Sequence, residues 1–302
     1  MDFKSKIILI SGPTASGKSS FAIKIAKKVN GEIINADSMQ VYRQLKILSA
    51  RPNPTKYQKI KHHLYGFHDV KKNFSTGNWL KLVIKKIKEI KKRKKTPILV
   101  GGTGLYFKAL IDGLVKIPNI PINIRRQIRA QQLKIGQDKF YKKLLKLDPT
   151  SIKKINPTDS HRSIRAYEVK LHTQKSIHEW YKNTKSNFQK SDFHKIYIDF
   201  PRTELIERID FRIKKMIDNG AIKEVKNFLK LKVRKDKSVN KAIGINEIRQ
   251  YLNNEKELEE IIENISIKTR QYAKRQSTWA RNNMRSWLKL KPNELNNFLK
   301  KI

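Results

Sequence analysis

Gly12-Pro13-Thr14-Ala15-Ser16-Gly17-Lys18-Ser19 follows the apolar run Ile7-Ile8-Leu9-Ile10 and precedes Phe21-Ala22-Ile23-Lys24-Ile25-Ala26. A buried strand, a loop of the form G-x-x-x-x-G-K-[ST] and an amphipathic helix, in that order, make a P-loop. Gly12 and Gly17 let the backbone curl so that successive N–H groups face inward at an anion. The helix expected to begin near Lys18 adds its positive end at the same point. Lys18 brings a mobile charge for phosphate oxygens, and the Ser19 hydroxyl is placed to hold Mg²⁺. The loop specifies a phosphate compound without saying which one, or whether phosphoryl transfer occurs.

Working outward, Glu32-Ile33-Ile34-Asn35 reads as a second strand running into Ala36-Asp37-Ser38-Met39-Gln40. A carboxylate at such a strand end faces the crevice where α/β sheets bind ligands. Asp37 is open to three readings from position alone: general base, Mg²⁺ partner or helix N-cap. Residues 46–78 read as irregular; His62, His63 and His68 lie there without a carboxylate at evident metal-ligand spacing. Trp79 to Lys95 has helical periodicity, with Leu80, Val83, Ile84, Ile87 and Ile90 on one face. Pro97 marks a break before the strand Ile98-Leu99-Val100, which leads to Gly101-Gly102-Thr103. A P-loop nucleotidase usually carries an acidic residue at such a strand end; here the only other apolar strand ending in Asp is Ile196-Tyr197-Ile198-Asp199, far downstream.

Prolines at 118 and 121 open a stretch of helical texture, with Asp159 a candidate N-cap for the segment beginning His161-Arg162-Ser163-Ile164-Arg165. The expected organisation is a parallel-sheet α/β core over 1–115 and 196–302, interrupted by a helical insertion domain at 116–195. In the last third, Arg208 and Arg212 lie one helical turn apart and can face one anion. A long helix from about Glu255 carries Lys274, Arg275 and Arg281 away from its apolar side.

The 302 residues include 68 Lys and Arg against 26 Asp and Glu, a formal charge of +42, and no cysteine. Disulfides and thiolate metal sites are therefore excluded. The excess charge points to a polyanionic partner, nucleic acid first. Part of it matches the Lys-, Ile- and Asn-rich usage that an AT-rich genome imposes, so charge alone does not establish RNA binding. Met1–Lys6 leads straight into the first strand and no apolar run approaches membrane-spanning length. A cytoplasmic monomer is the expectation.

Taken together, the P-loop, Ala36-Asp37-Ser38-Met39-Gln40-Val41-Tyr42, His62-His63-Leu64, Val100-Gly101-Gly102-Thr103-Gly104-Leu105-Tyr106, the Asp159-to-Glu168 block and Thr269-Arg270-Gln271-Tyr272-Ala273-Lys274-Arg275-Gln276-Ser277-Thr278-Trp279 resemble the tRNA dimethylallyltransferases. The resemblance spans residues 7 to about 285. It implies a P-loop kinase-like fold and transfer of an allyl group from dimethylallyl diphosphate to the exocyclic amine of the adenosine 3′ to the tRNA anticodon, with Mg²⁺. It further implies Asp37 as the base, Thr103 on the breaking C–O oxygen, and Arg212 with the Gly12–Ser19 loop on the diphosphate, Arg208 helping. Asp37 to Gln40, Arg125, His161 to Arg165, Lys274, Arg275, Gln276 and Arg281 match tRNA-contacting positions, so the anticodon stem-loop is the implied partner. Three stretches depart from the family pattern: Leu48-Ser49-Ala50-Arg51-Pro52 for the usual Gly-Thr-Ala-Lys-Pro, Gly244-Ile245 for Gly-Tyr, and Ala280 for Phe in Thr-Trp-Phe-Arg. The competing readings are a P-loop kinase of a small metabolite and a non-catalytic RNA-binding module.

Overall fold

The computed structural model describes residues 6–302, which divide into two compact units, 6–111 with Phe188–Ile302 and Asp112–Asn187. In the first, strands β1 (Ile7–Ser11), β2 (Gly31–Asn35), β3 (His62–His63), β4 (Thr96–Gly101), β5 (Phe193–Ile198) and β6 (Leu288–Leu290) form one sheet in the order β3-β2-β4-β1-β5-β6. Every neighbouring pair is parallel. All five residues of β1 are buried, as a continuous apolar run requires when both faces of a parallel sheet are covered. On one face Ile7, Leu9, Ile34 and Leu99 pack with Trp79, Val83, Ile87 and Ile90 of α2 (Thr76–Lys92) and Phe107 of α3 (Gly104–Asp112). On the other, Ile8, Ile10 and Val100 pack with Phe21, Ala22 and Ile25 of α1 (Lys18–Lys28).

The chain diverges from its sequence reading at short elements. His62 and His63 pair with Ile33 and Ile34, so the segment read as irregular supplies the sheet's edge strand. Pro97 lies inside β4 rather than before it. Thr96 N–H bonds Asn30 O toward β2; Pro97 therefore turns its donorless nitrogen toward β1, whose ladder with β4 begins one residue later at Ile8↔Ile98. Helix α2 starts at Thr76, three residues early, because Ser75 and Asn78 close a capping box.

The second unit holds α4 (Ile122–Ile135), α5 (Gln137–Leu147), α6 (Ser160–Thr173) and α7 (Ile177–Lys182). Its core gathers Ile128, Phe140, Leu144, Ala166 and Val169, and Asp159 caps α6 through Arg162 N–H. The expected span 116–195 shifts to 112–187. Phe193 already pairs with Ile7, so the residues approaching β5 belong to the core. The rest of the core unit is a helical subassembly, α8 (Arg202–Asp218), α9 (Ala221–Lys230), α10 (Ile245–Leu252) and α11 (Leu258–Asn283), while α12 (Leu295–Lys300) packs Phe298 and Leu299 with α1. Among the described residues no helix is long and apolar enough to cross a membrane.

Candidate active site

The loop after β1 is a preformed anion cradle. Ala15 (φ 64°) and Gly17 (φ 81°) adopt left-handed backbone conformations, and such local reversals turn backbone N–H groups to a common centre. Gly17 occupies the N-cap of α1 with no side-chain cap, which leaves the first-turn N–H groups free for a ligand. Ser16 Oγ, buried within the loop, has no hydrogen-bond partner among the described residues.

A cavity of about 480 Å³ opens over this loop, lined by Thr14, Gly17, Lys18, Ser19, Asp37, Gln40, Arg208 and Arg212. Lys18 Nζ donates to Pro13 O at 3.0 Å. Burial draws its ammonium pKa from 10.5 down to about 8, with Asp37 opposing and Arg212 reinforcing the shift. Burial also lowers Arg212, again against Asp37. Helix α8 brings both of its arginines to the loop: Arg212 Nη1 donates to Thr14 Oγ1 at 3.2 Å and Arg208 Nε to Ala15 O at 2.9 Å. The Arg208 guanidinium also lies 5.0 Å from the Phe200 ring centroid.

Asp37 is held from three sides. Buried Asn35 accepts from Asp37 N–H at 2.9 Å and donates to Asp37 O and to Leu64 O, both at 3.0 Å. Asp37 Oδ1 in turn accepts from Met39 N–H at 2.9 Å, so the capping role is realised in a turn rather than at a helix. Thr103 Oγ1 accepts from Ser38 N–H at 3.0 Å, which anchors the glycine turn after β4 to the residue following Asp37. A Cβ at Gly101 would overlap the Ala36 carbonyl; glycine is required for these two strand ends to meet.

Of the expected RNA contacts, one is placed inside the fold and another makes internal hydrogen bonds. Ser163 is fully buried and its hydroxyl accepts from Gln137 Nε2 at 3.2 Å, because it faces the α4–α6 core. Gln276 is committed internally: its Oε1 accepts from Thr14 N–H at 2.8 Å and its Nε2 donates to Gly102 O at 2.9 Å. It bridges the two glycine loops from 262 residues beyond Thr14 and 174 beyond Gly102. His161 and Arg162 are exposed, and Arg125 and Arg165 partly so; all four lie in the helical unit. Lys274 and Arg281 line a cavity of about 720 Å³ between α8 and α11. Arg275 lines a smaller one of about 300 Å³ with Gly12, Thr103 and Trp279. Asn35 and Gln276 escaped sequence reasoning as positioning residues. Only an Asn two residues before the carboxylate signals the first, and nothing local signals the second.

Residues 40–283 match the family model described as IPP transferase. The chain belongs to the IPP transferase family. A tRNA dimethylallyltransferase of Pelagibacter ubique is 63% identical over 302 residues, covering 100% of this chain and 96% of its own. One of Rickettsia massiliae is 43% identical over 95% of this chain and 79% of its own. Among solved structures, the full-length tRNA isopentenylpyrophosphate transferase of Bacillus halodurans superposes with a TM-score of 0.70 at 31% identity, covering 98% of this chain and 95% of its own. Of the departing residues, Leu48, Ile245 and Ala280 fall on packing, while Ser49 lines the cavity over the P-loop. Leu48 and Ile245 share one buried cluster, and Leu48 fills the space beside Gly244. Ala280 is buried in the core on the α2 side of the sheet.

Proposed function

We infer that this chain transfers a dimethylallyl group from dimethylallyl diphosphate to the exocyclic amine of the adenosine 3′ to the tRNA anticodon. The observation that carries this reading is the convergence of Asp37, Lys18, Arg208 and Arg212 on one cavity over an uncapped P-loop helix. Relatives over the whole chain that are named for this reaction support it, as does a structural neighbour, a eukaryotic dimethylallyltransferase acting on tRNA (TM-score 0.82, 28% identity). They do not favour the small-metabolite kinase or the non-catalytic RNA-binding module.

The amine nitrogen attacks the allylic carbon, the carbon–oxygen bond to diphosphate breaks, and the amine proton passes to Asp37. An adenine amine is a weak nucleophile, so the rate depends on positioning and on the charge developing on the leaving diphosphate. Lys18, Arg212, the loop N–H groups and, secondarily, Arg208 neutralise that charge. Thr103 stands beside the Asp37 turn as a hydroxyl for the departing oxygen. The cavity carries a single carboxylate, Asp37, among the hydroxyls of Thr14, Ser19, Ser20 and Ser49. One carboxylate is too few for a protein cage and fits a Mg²⁺ carried by the diphosphate. Ser19 would hold the ion, which offsets leaving-group charge when bound. The target base leaves the anticodon stack to reach the cavity. Partly exposed Met39 and the cations of α11 and of the helical unit engage the RNA. The enzyme works as a cytoplasmic monomer in this reading.

The test is incubation with labelled dimethylallyl diphosphate and a tRNA bearing that adenosine. Label appears in RNA if the reading holds. ATP-dependent phosphorylation of a small molecule without RNA labelling supports the kinase instead, and tRNA binding without either reaction supports the binding module.

A further inference from the structure

The helical unit contains a charge arrangement that the chemistry above leaves unused. Glu168, on α6, is a carboxylate with a side chain 1% exposed, and three arginines converge on it. Arg165 Nη1 lies 3.4 Å from Oε2, Arg129 Nε 3.5 Å from Oε1 and Arg125 Nε 3.6 Å from Oε2. Arg125 and Arg129 are one turn apart on α4, while Arg165 is one turn before Glu168 on α6. The arginine side chains remain 38%, 50% and 41% exposed.

An ion pair that only staples two helices needs one cation per carboxylate. Here one buried charge faces three, a local surplus of about two positive charges that repel one another. The contacts are also slack. Only Arg165 reaches hydrogen-bond geometry on Glu168, and both Glu168 Oε1 and Arg125 Nε are buried without a hydrogen-bond partner among the described residues. The carboxylate orients the guanidiniums from below without using up their donors. A planar guanidinium with free N–H groups and an exposed outer edge matches a phosphate oxygen pair.

We propose that Glu168 is a positioning residue that sets Arg125, Arg129 and Arg165 as a fork for the RNA phosphate backbone. This rests on the tRNA reading above and adds Arg129 and Glu168 to it. Phosphate contacts of this kind fix the register of an RNA without reading its sequence.

The test measures tRNA affinity and KM for wild type, Glu168→Gln and Arg129→Lys at several salt concentrations, with thermal melts alongside. If charge alone mattered, Glu168→Gln would bind tRNA more tightly, since the protein becomes one unit more positive. The fork predicts the opposite sign: a rise of about three- to tenfold in KM for tRNA, with KM for dimethylallyl diphosphate unmoved. Arg129→Lys keeps its charge, loses the planar fork, and sits on the surface, so it reports even where Glu168→Gln melts early. It is expected to weaken tRNA binding severalfold at every salt concentration with an unchanged salt slope. Arg129→Gln additionally lowers that slope by about one. Unchanged or tighter binding by Glu168→Gln, or full affinity in Arg129→Lys, overturns the positioning role while leaving the transferase reading intact. A wild type that binds no tRNA overturns both.

Discussion

Lys18 offers a test of the diphosphate cradle that needs no turnover. Burial holds its pKa at about 8 instead of 10.5, so keeping it charged at neutral pH costs about 3 kcal/mol. A bound diphosphate puts negative charge against the ammonium and returns the pKa to its ordinary range or above. Binding then takes up a proton wherever the free lysine has lost one: about 0.1 proton at pH 7, about 0.5 at pH 8 and about 0.9 at pH 9. A terminal phosphate with a pKa near 6 is fully ionised at pH 8 and 9 and leaves those counts unchanged, while at pH 7 it releases about 0.1 proton, which cancels the uptake by the lysine. The assay is calorimetry of dimethylallyl diphosphate binding without tRNA, in buffers of different ionisation enthalpy. Donor affinity is expected to fall by up to about tenfold per pH unit above 8. The sign for folding is the reverse of an ion pair's. Between about 8 and 10.5 the unfolded chain holds a proton that the folded chain does not, so the empty protein gains stability as pH rises through that window. Lys18→Arg, which does not titrate, abolishes the uptake while keeping the charge. Uptake that is flat from pH 7 to 9, or that survives in Lys18→Arg, refutes the placement of Lys18 against the diphosphate.

Three further outcomes are expected. Asp37→Ala lowers turnover by about two to four orders of magnitude with the fold retained by circular dichroism; near-normal turnover removes it as the base. Arg212→Gln, which loses the bond to Thr14, raises KM for the allyl donor, and an unchanged donor KM with unchanged turnover makes Arg212 structural. Glu32, whose side chain is fully buried, would be raised by burial, but hydrogen bonds from Arg93 and His63 outweigh this and bring it down to about 2. Its contribution is complete above about pH 4.5 and is lost as pH falls toward 2. Arg93 is 40% exposed and therefore screened, so urea titrations of Glu32→Gln against wild type should differ by about 1–2 kcal/mol less at pH 3 than at pH 6.

The parts of the molecule legible in its sequence are those with a local physical signature. A strand, glycine loop and amphipathic helix announce the P-loop, and Arg208 with Arg212 share a helix face by spacing alone. The two-residue strand at His62–His63 has no periodicity to read; it exists because β2 offers an open edge. The strand β6 is nearly as short, three residues, and pairs with β5 late in the chain, in a third that reads as mostly helical. Pro97 signals a break when taken alone and is harmless once its nitrogen is seen to face past the start of the β1 ladder. Ser163 reads as a surface residue beside His161 and Arg162, yet the helix turns it inward onto Gln137. Gln276 sits among cations at the end of an RNA-like motif, and its role depends on a partner 262 residues away.

That long-range bridge belongs to a wider pattern in how the site is built. Asn35 brackets Asp37, Thr103 receives Ser38 N–H, and Gln276 spans Thr14 and Gly102. Each of these positioning groups is a neutral amide or hydroxyl. The choice has an electrostatic consequence, because the cavity already sets Lys18 and Arg212 against a single carboxylate, and Lys18 is near the limit of holding its proton. A further cation used as a strut would push Lys18 lower, and a further anion would compete with the incoming diphosphate. Neutral struts fix the geometry without moving the potential. Their use also demands close approach of the strand ends, since amide and hydroxyl side chains reach only a few ångströms, and Gly101 against the Ala36 carbonyl supplies it. A Gly-Gly-Thr turn where a nucleotidase carries an acid is therefore a positive feature. It keeps negative charge out of the cradle and brings a hydroxyl to the turn that holds Asp37.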